Sequence, residues 1–451
     1  MNQLKLDLEK GRETVAKAGK QLIERGLIAR TWGNVSCRVS KSRFVITPSG
    51  RSYQTLAPGE IVPVNIEDCS YEGNIEPSSE IGIHAEVYRK CPDVNFVIHT
   101  HQPCASAVSV LRENIDVGEV NPSARELLGD AVVSVAYGLP GSRELKEEVA
   151  SALKPSRVKA YLLTAHGALC LGLDSENAFR VTSELEKTCR KYIEKRYREL
   201  YGGFGGGTET GGMLEADLDQ IRVHFILKHK LDQDPRPEDI ESCFDPLQLF
   251  YNSLREENQF RLYTGGSSEN PFPEKEGRSS VFSLGENGLT YGSKNKPFTG
   301  HIDNQYRAAV EAHGSIYRAY DEVNAIIHAV SPNIVACSRV GRFMYPLLDD
   351  FAQIIGAGIP VVSDGQNPDK LANKIAGRLR GKHAVLIANS GAICCGLSGN
   401  DVEAAVQILD KNCKAFIVAS LLGKVVPINK ENCALMRNNY LKRYSRKDLL
   451  K

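Results

Sequence analysis

Along the first two hundred residues, apolar positions fall into short blocks whose spacing switches between a helical period and a strand period. Residues 13–24 predict an amphipathic helix, and 34–39 and 43–46 predict short strands. A helix capped by serines is expected over 79–89, a strand over 94–99 and a helix over 104–111. A strand over 131–137, a helix over 142–153 and a strand over 160–164 follow, and a long helix with a charged outer face, 175–201, closes the series. Helices flanking a mainly antiparallel or mixed sheet, in a layered α/β domain, accommodate these segments.

The pattern then recurs. Tyr88-Arg89 precede VNFVIH ending at His99, and Tyr317-Arg318 precede VNAIIH ending at His328 with the same separation. His84 has His313 at the matching place, and AYLLTAHGALCLGL (160–173) is echoed by AVLIANSGAICCGL (384–397). An internal duplication explains both echoes. Between the halves, GGFGGGTETGG (202–212) packs no core and reads as a flexible connector. The chain is therefore expected to hold one domain over 1–205, a Gly-rich linker and connecting segment over 206–235, and a second domain over 236–451. A polar, turn-rich stretch at 265–277 is expected to be a surface loop.

Composition narrows the partners. Lysine plus arginine (56) and aspartate plus glutamate (55) nearly cancel, so no global field points to nucleic acid or an anionic membrane. A small, partly anionic metabolite remains compatible. The opening MNQLKLDLEKGRETV has no apolar run of signal-peptide or membrane length, which predicts a soluble cytoplasmic protein. The 12 cysteines include no CxxC pair and are expected to be ordinary reduced thiols.

The chemistry concentrates at His99-Thr100-His101. Residues two apart in a strand share a face, so the two imidazoles aim at one point. Imidazole suits Zn²⁺ and similar divalent metals, and a third ligand is wanted. His166 follows the apolar run YLLTA and precedes Gly167, and its strand is expected beside the first. Three histidines leave a coordination position open for substrate. The duplicate keeps His328 but has Val330 and Ser390 at the other two places.

In order, TWGNVSCR (31–38), ITPSG (46–50), PSSE (77–80), IHTH (98–101), VAYGLPGS (135–142) and AHGALCLG (165–172) resemble the class II aldolase/adducin family. The resemblance implies a three-layer α/β/α class II aldolase-like domain, present as two tandem copies of which the second is degenerate. It also implies zinc on His99, His101 and His166, with another divalent metal as an alternative, and Glu80 as the acid/base. Gly33, Asn34, Ser49, Gly50, Ser78 and Ser79 match the family's substrate-phosphate pocket. Hydroxyls, an amide and a helix N-terminus are suitable donors to an anion. Tyr137 matches a tyrosine that such aldolases extend from a neighbouring subunit to handle the proton on the aldehyde-derived oxygen. The implied activity is cleavage of a ketose 1-phosphate to dihydroxyacetone phosphate and an aldehyde by a homo-oligomer, a dimer or larger ring. A sugar-phosphate 4-epimerase and a non-catalytic adducin-like binding protein are the alternatives. The second half, with Ala309 in the place of Glu80, is expected to hold no zinc.

Overall fold

In the computed structural model of the protein, the strands of the N-terminal half are β1 (Asn34–Arg38), β2 (Arg43–Ile46), β3 (Val62–Asn65), β4 (Phe96–Thr100), β5 (Ile115–Asp116), β6 (Ala131–Val135), β7 (Ala160–Leu163) and β8 (Gly167–Gly172). They form one sheet in the order β3-β2-β1-β4-β8-β7-β6-β5. Only the β6/β7 pair is parallel, so the sheet is mixed and mainly antiparallel. The structure describes residues 2–28, 32–154, 157–202, 215–231, 251–257, 259–264, 279–285, 288–291, 296–297, 304–363 and 368–443. The glycine-rich connector expected at 202–212 and the loop expected at 265–277 lie essentially outside these residues.

Helices α1 (Asn2–Glu24), α2 (Ile81–Lys90), α3 (Pro103–Ser109), α4 (Val117–Val120), α5 (Arg125–Leu128), α6 (Arg143–Ala152) and α7 (Ser175–Tyr201) complete this half. α2 and α6 cover one face of the sheet, burying Ile83, Val87, Leu145 and Val149 against Val97, Leu163 and Leu169. α1, α3 and α7 pack on the opposite face, giving three layers. Each full burial of such a side chain contributes roughly 1.5–3 kcal/mol. Local signals set the helix ends. Ser142 accepts from the Leu145 N–H at 3.1 Å and Asp174 from the Asn177 N–H at 2.8 Å, each cap worth about 1 kcal/mol.

The second half contains α8 (Glu215–Leu231), β9 (Tyr251–Glu256), β10 (Gln259–Thr264), β11 (Ser279–Gly285), β12 (Gly288–Tyr291), β13 (Lys296–Pro297), α9 (Asn304–Ala319), β14 (Ala325–Ala329), α10 (Pro332–Val340), α11 (Asp349–Ile354), β15 (Val361–Val362), α12 (Pro368–Leu379), β16 (Ala384–Ile387), β17 (Gly391–Gly396), α13 (Gly399–Leu422) and α14 (Lys430–Arg443). Its sheet runs β13-β12-β11-β10-β9-β14-β17-β16-β15. From β11 to β15 this is the order of the first sheet from β3 to β6, strand for strand. The chain divides into two compact units. The first is Met1–Leu214 with Leu347–Asp350 and Lys414–Lys451, and the second is Glu215–Pro346 with Phe351–Cys413.

The duplication extends to side chains. In the first unit Ser36 Oγ lies 2.6 Å from His84 Nδ1 and 2.7 Å from the Tyr88 hydroxyl. In the second, Ser253 Oγ lies 2.8 Å from His313 Nδ1 and 2.9 Å from the Tyr317 hydroxyl. Arg38 and Arg255 lie over Tyr88 and Tyr317 at 4.8 and 5.2 Å from the ring centroids. Ala165 and Asn389 both take a left-handed backbone, φ 59° and 62°, just before β8 and β17.

Burial pushes His313 down to about 3, with nearby His328 acting in the same direction. The folded state therefore binds fewer protons than the unfolded chain between that value and about 6.5, so stability is lost as pH falls through this window. Between pH 6.5 and 4 this one group is expected to cost ~3 kcal/mol of the second unit's stability. Urea unfolding of the His313→Asn variant tests this: its stability should fall less steeply with acid than the wild type's, and equal slopes would refute it.

All described cysteines are free thiols. Among the described residues no helix is long and apolar enough to cross a membrane.

Candidate active site

β4 is the fourth strand of its sheet, with β1 on one side and β8 on the other. His99 is paired across to Asn34 and Leu169, and it shares the face of Val97, the side that α2 covers. His101 stands just past the strand end. His166 occupies the tight turn between β7 and β8, with its N–H on the Leu163 carbonyl at 3.0 Å. The strand that lies beside β4 is thus the one after His166, not the YLLTA run before it. The left-handed Ala165 makes the hairpin tight enough to bring the ring back over β4.

The three imidazoles meet. Ring centroids are separated by 4.8, 4.8 and 5.0 Å, all three residues are buried, and their ligand atoms lie within 4.8 Å of one another. Glu80, the residue immediately before α2, joins them: Oε2 is 3.3 Å from His99 Nε2 and Oε1 is 3.4 Å from His166 Nε2. The helix begins at Ile81, two residues later than the serines suggested, which leaves Glu80 at its mouth. Ser78 Oγ accepts from the Glu80 N–H at 3.3 Å.

Hydrogen-bond logic places the Nδ1 protons. His99 Nδ1 is 3.0 Å from the Ala168 carbonyl, which only accepts, so Nδ1 carries a proton and Nε2 is turned inward. His101 Nδ1 faces the Asp350 carboxylate at 3.2 Å, which likewise places a proton on Nδ1. The two Nε2 atoms lie 3.0 Å apart and face the same point. Burial pushes His166 down to about 3, with Glu80 opposing the shift and His99 and His101 adding to it. This donor set fits a divalent cation, since tetrahedral Zn–N bonds place two nitrogens about 3.3 Å apart.

Burial would raise the Glu80 carboxyl, but His99, His166 and the Asn34 amide outweigh it and hold it below its ordinary value. Asn34 Nδ2 donates to Glu80 Oε2 at 2.8 Å, and Asn34 Oδ1 is 2.5 Å from His84 Nε2. Because the amide donates to the carboxylate, its oxygen must accept, so His84 Nε2 donates and His84 Nδ1 accepts from Ser36. Burial pushes His84 down to about 3, consistent with a single ring proton. A directed run of hydrogen bonds from Tyr88 through Ser36, His84 and Asn34 therefore ends on Glu80. His84 had stood out in the sequence only as a landmark of the repeat.

Contacts tie the remaining sequence candidates to neighbouring segments. The Ser49–Gly50 turn and the Ser78–Ser79 segment are joined by the Pro48/Pro77 bridge, by Ser49 N–H on the Glu76 carbonyl and by Ser78 N–H on the Thr47 carbonyl. Tyr53 fastens this edge, donating to the Gly33 carbonyl at 2.8 Å and lying 3.0 Å from Thr47 Oγ1. Gly33 has φ +123°, and a Cβ there would lie 2.6 Å from the His99 carbonyl oxygen. Asn34 is turned onto Glu80 and His84 in this structure. Tyr137 donates to Asp349 Oδ1 at 3.0 Å. Asp349 and Asp350 escaped the sequence reading, although two adjacent acids inside PLLDDFAQII are a visible break in an apolar run.

In the second unit the counterpart of this site is closed. His328 Nε2 lies 2.7 Å from the Ser390 carbonyl and 3.2 Å from Ser390 Oγ.

A Cβ on Gly167 would sit 2.2 Å from the carbonyl oxygen of Thr100, the residue between His99 and His101. Gly167→Ala is expected to push His99 and His101 apart from His166 and to cost about 1–3 kcal/mol. Thermal melting with metal analysis checks it; native metal content in the variant would count against it.

The family model for the Class II Aldolase and Adducin N-terminal domain matches residues 13–193 and 289–417, more than half of the chain, and the chain belongs to this family. The 5-deoxy-D-ribulose 1-phosphate aldolase of Bacillus thuringiensis is 31% identical over 193 residues, 42% of this chain and 87% of the relative. The L-fuculose phosphate aldolase of Escherichia coli K12 is 35% identical over 168 residues, 37% of this chain and 75% of the relative. A 3-oxo-tetronate 4-phosphate decarboxylase of Haemophilus influenzae is 29% identical over 186 residues, 40% and 86% of the two chains. A solved L-fuculose 1-phosphate aldolase is 27% identical, with a TM-score of 0.39 over 47% of this chain and 93% of that one. The relatives are lyases of one family, and this chain carries its own buried three-histidine cluster.

Proposed function

We propose that the first unit is a metal-dependent lyase, with zinc as its preferred ion, that cleaves a ketose 1-phosphate to dihydroxyacetone phosphate and an aldehyde. The observation that carries this is the convergence of three imidazoles and the Glu80 carboxylate on one buried point. His99, His101 and His166 would hold the ion, which when bound supplies a Lewis acid for the substrate carbonyl and for the negative charge that carbon–carbon cleavage leaves.

The chain's own groups do the rest. Glu80 moves the proton at the carbon where the bond breaks, and its aim is set by the Asn34 amide. Gly33, Ser49, Gly50, Ser78 and Ser79 offer hydroxyl and backbone donors beside the start of α2, a suitable seat for the phosphate. Tyr137 handles the proton on the aldehyde-side oxygen. Each relative named above acts on a phosphorylated sugar derivative, which favours this substrate class for the chain.

The decarboxylase relative supports a second reading, in which the bond broken is to a carboxylate. Zinc-loaded protein offered a panel of ketose 1-phosphates and 3-oxo acid phosphates separates them. Dihydroxyacetone phosphate with an aldehyde supports the aldolase, carbon dioxide the decarboxylase, and a stereoisomer alone the epimerase. Turnover of none of these substrates would sink the proposal.

A further inference from the structure

Each of the three site histidines turns its Nε2 inward, and each Nδ1 therefore needs a partner behind it. His99 has the Ala168 carbonyl at 3.0 Å. His101 has Asp350 Oδ2 at 3.2 Å. Behind His166 lies Asp349, with Oδ2 3.8 Å from Nδ1. That nitrogen and that oxygen are both buried without a hydrogen-bond partner, so a shift of about an ångström would join them. Asp349 is otherwise well fixed: its N–H bonds the Ala165 carbonyl at 2.9 Å, and Oδ1 accepts from Tyr137. Both aspartates are buried, Asp349 at 0% and Asp350 at 1% exposure. Two buried adjacent carboxylates cost stability unless something repays their desolvation.

These two residues come from Leu347–Asp350, a segment of the first unit that lies within the second stretch matched by the family model. We propose that Asp349 and Asp350 are positioning residues of the first unit's site: Asp350 orients His101, and Asp349 orients both His166 and the Tyr137 hydroxyl. The second copy of the sequence thus supplies the supports of the first copy's chemistry. This rests on the metal-site reading above. A carboxylate behind a ligating imidazole fixes its tautomer and raises its basicity, and its removal typically costs 10–100-fold in metal affinity.

The test is competition with a chelator for zinc, run on wild type and on Asp350→Ala, Asp350→Asn, Asp349→Asn and His101→Ala, with circular dichroism confirming folding. Asp350→Ala is expected to weaken zinc about 10–100-fold, and Asp350→Asn, which keeps an acceptor oxygen, to recover part of the loss. Asp349→Asn is expected to lower kcat more than it changes KM, with little further loss when Tyr137→Phe is added, because the two act as one unit. Native zinc affinity in Asp350→Ala, together with loss of zinc in His101→Ala, would overturn this inference and leave the metal site standing. Native affinity in His101→Ala, or no zinc uptake by the wild type, would overturn both. Should Asp350→Ala fail to fold, Asp350→Asn decides: full native affinity together with an unchanged kcat in Asp349→Asn counts against the proposal.

Discussion

Glu80→Gln is expected to lower kcat by about 10²–10⁴-fold while leaving one zinc per chain bound. The amide keeps an oxygen that can accept from Asn34 Nδ2, so the side chain should stay where the carboxylate lies now, 3.3 and 3.4 Å from two imidazole nitrogens. What it loses is the capacity to take up and return a proton. Wild type is expected to exchange a carbon-bound hydrogen of dihydroxyacetone phosphate with deuterated water in the absence of any aldehyde, and the variant to exchange it at least a hundredfold more slowly. Exchange at the native rate in the variant would remove Glu80 from the mechanism.

Stripping the metal is the second large effect. Activity is expected to fall to background after chelation and to return on titration with zinc, with the break at one equivalent per chain. The stoichiometry is the sharper part. A second equivalent would contradict the arrangement in the second unit, where His328 is bonded to Ser390 and Val330 stands where His101 does in the first. Bound ion should also stabilise the fold by mass action, roughly 2.7 kcal/mol when free metal is a hundredfold above its dissociation constant. A melting temperature unmoved by zinc would argue against a formed site.

Much of this was legible in the chain because strand alternation and the HxH spacing are local. The elements carrying His99, Glu80 and Tyr137 could be placed from periodicity within a few residues. The neighbour of β4 could not: GALCLG is a uniformly apolar run whose strand identity depends on the turn at Ala165, and a left-handed alanine announces nothing in a sequence. The helix start shifted from the serines to Ile81 because Ser78 spends its hydroxyl on Glu80 rather than on the first turn. Asp350 is 249 residues from His101, so their contact is a property of the packed fold that no local pattern encodes.

The serine, histidine and tyrosine that link strand to helix are kept in both units at nearly the same contact distances, yet in the second there is an alanine where the carboxylate would be. That joint therefore answers to architecture before it answers to chemistry. The backbone of the second unit, down to the left-handed residue ahead of β17, still follows the frame that carries the three-histidine cluster in the first. Grafting Ala309→Glu, Val330→His and Ser390→His onto it would ask how much of an enzyme survives in a scaffold after its reagents are gone.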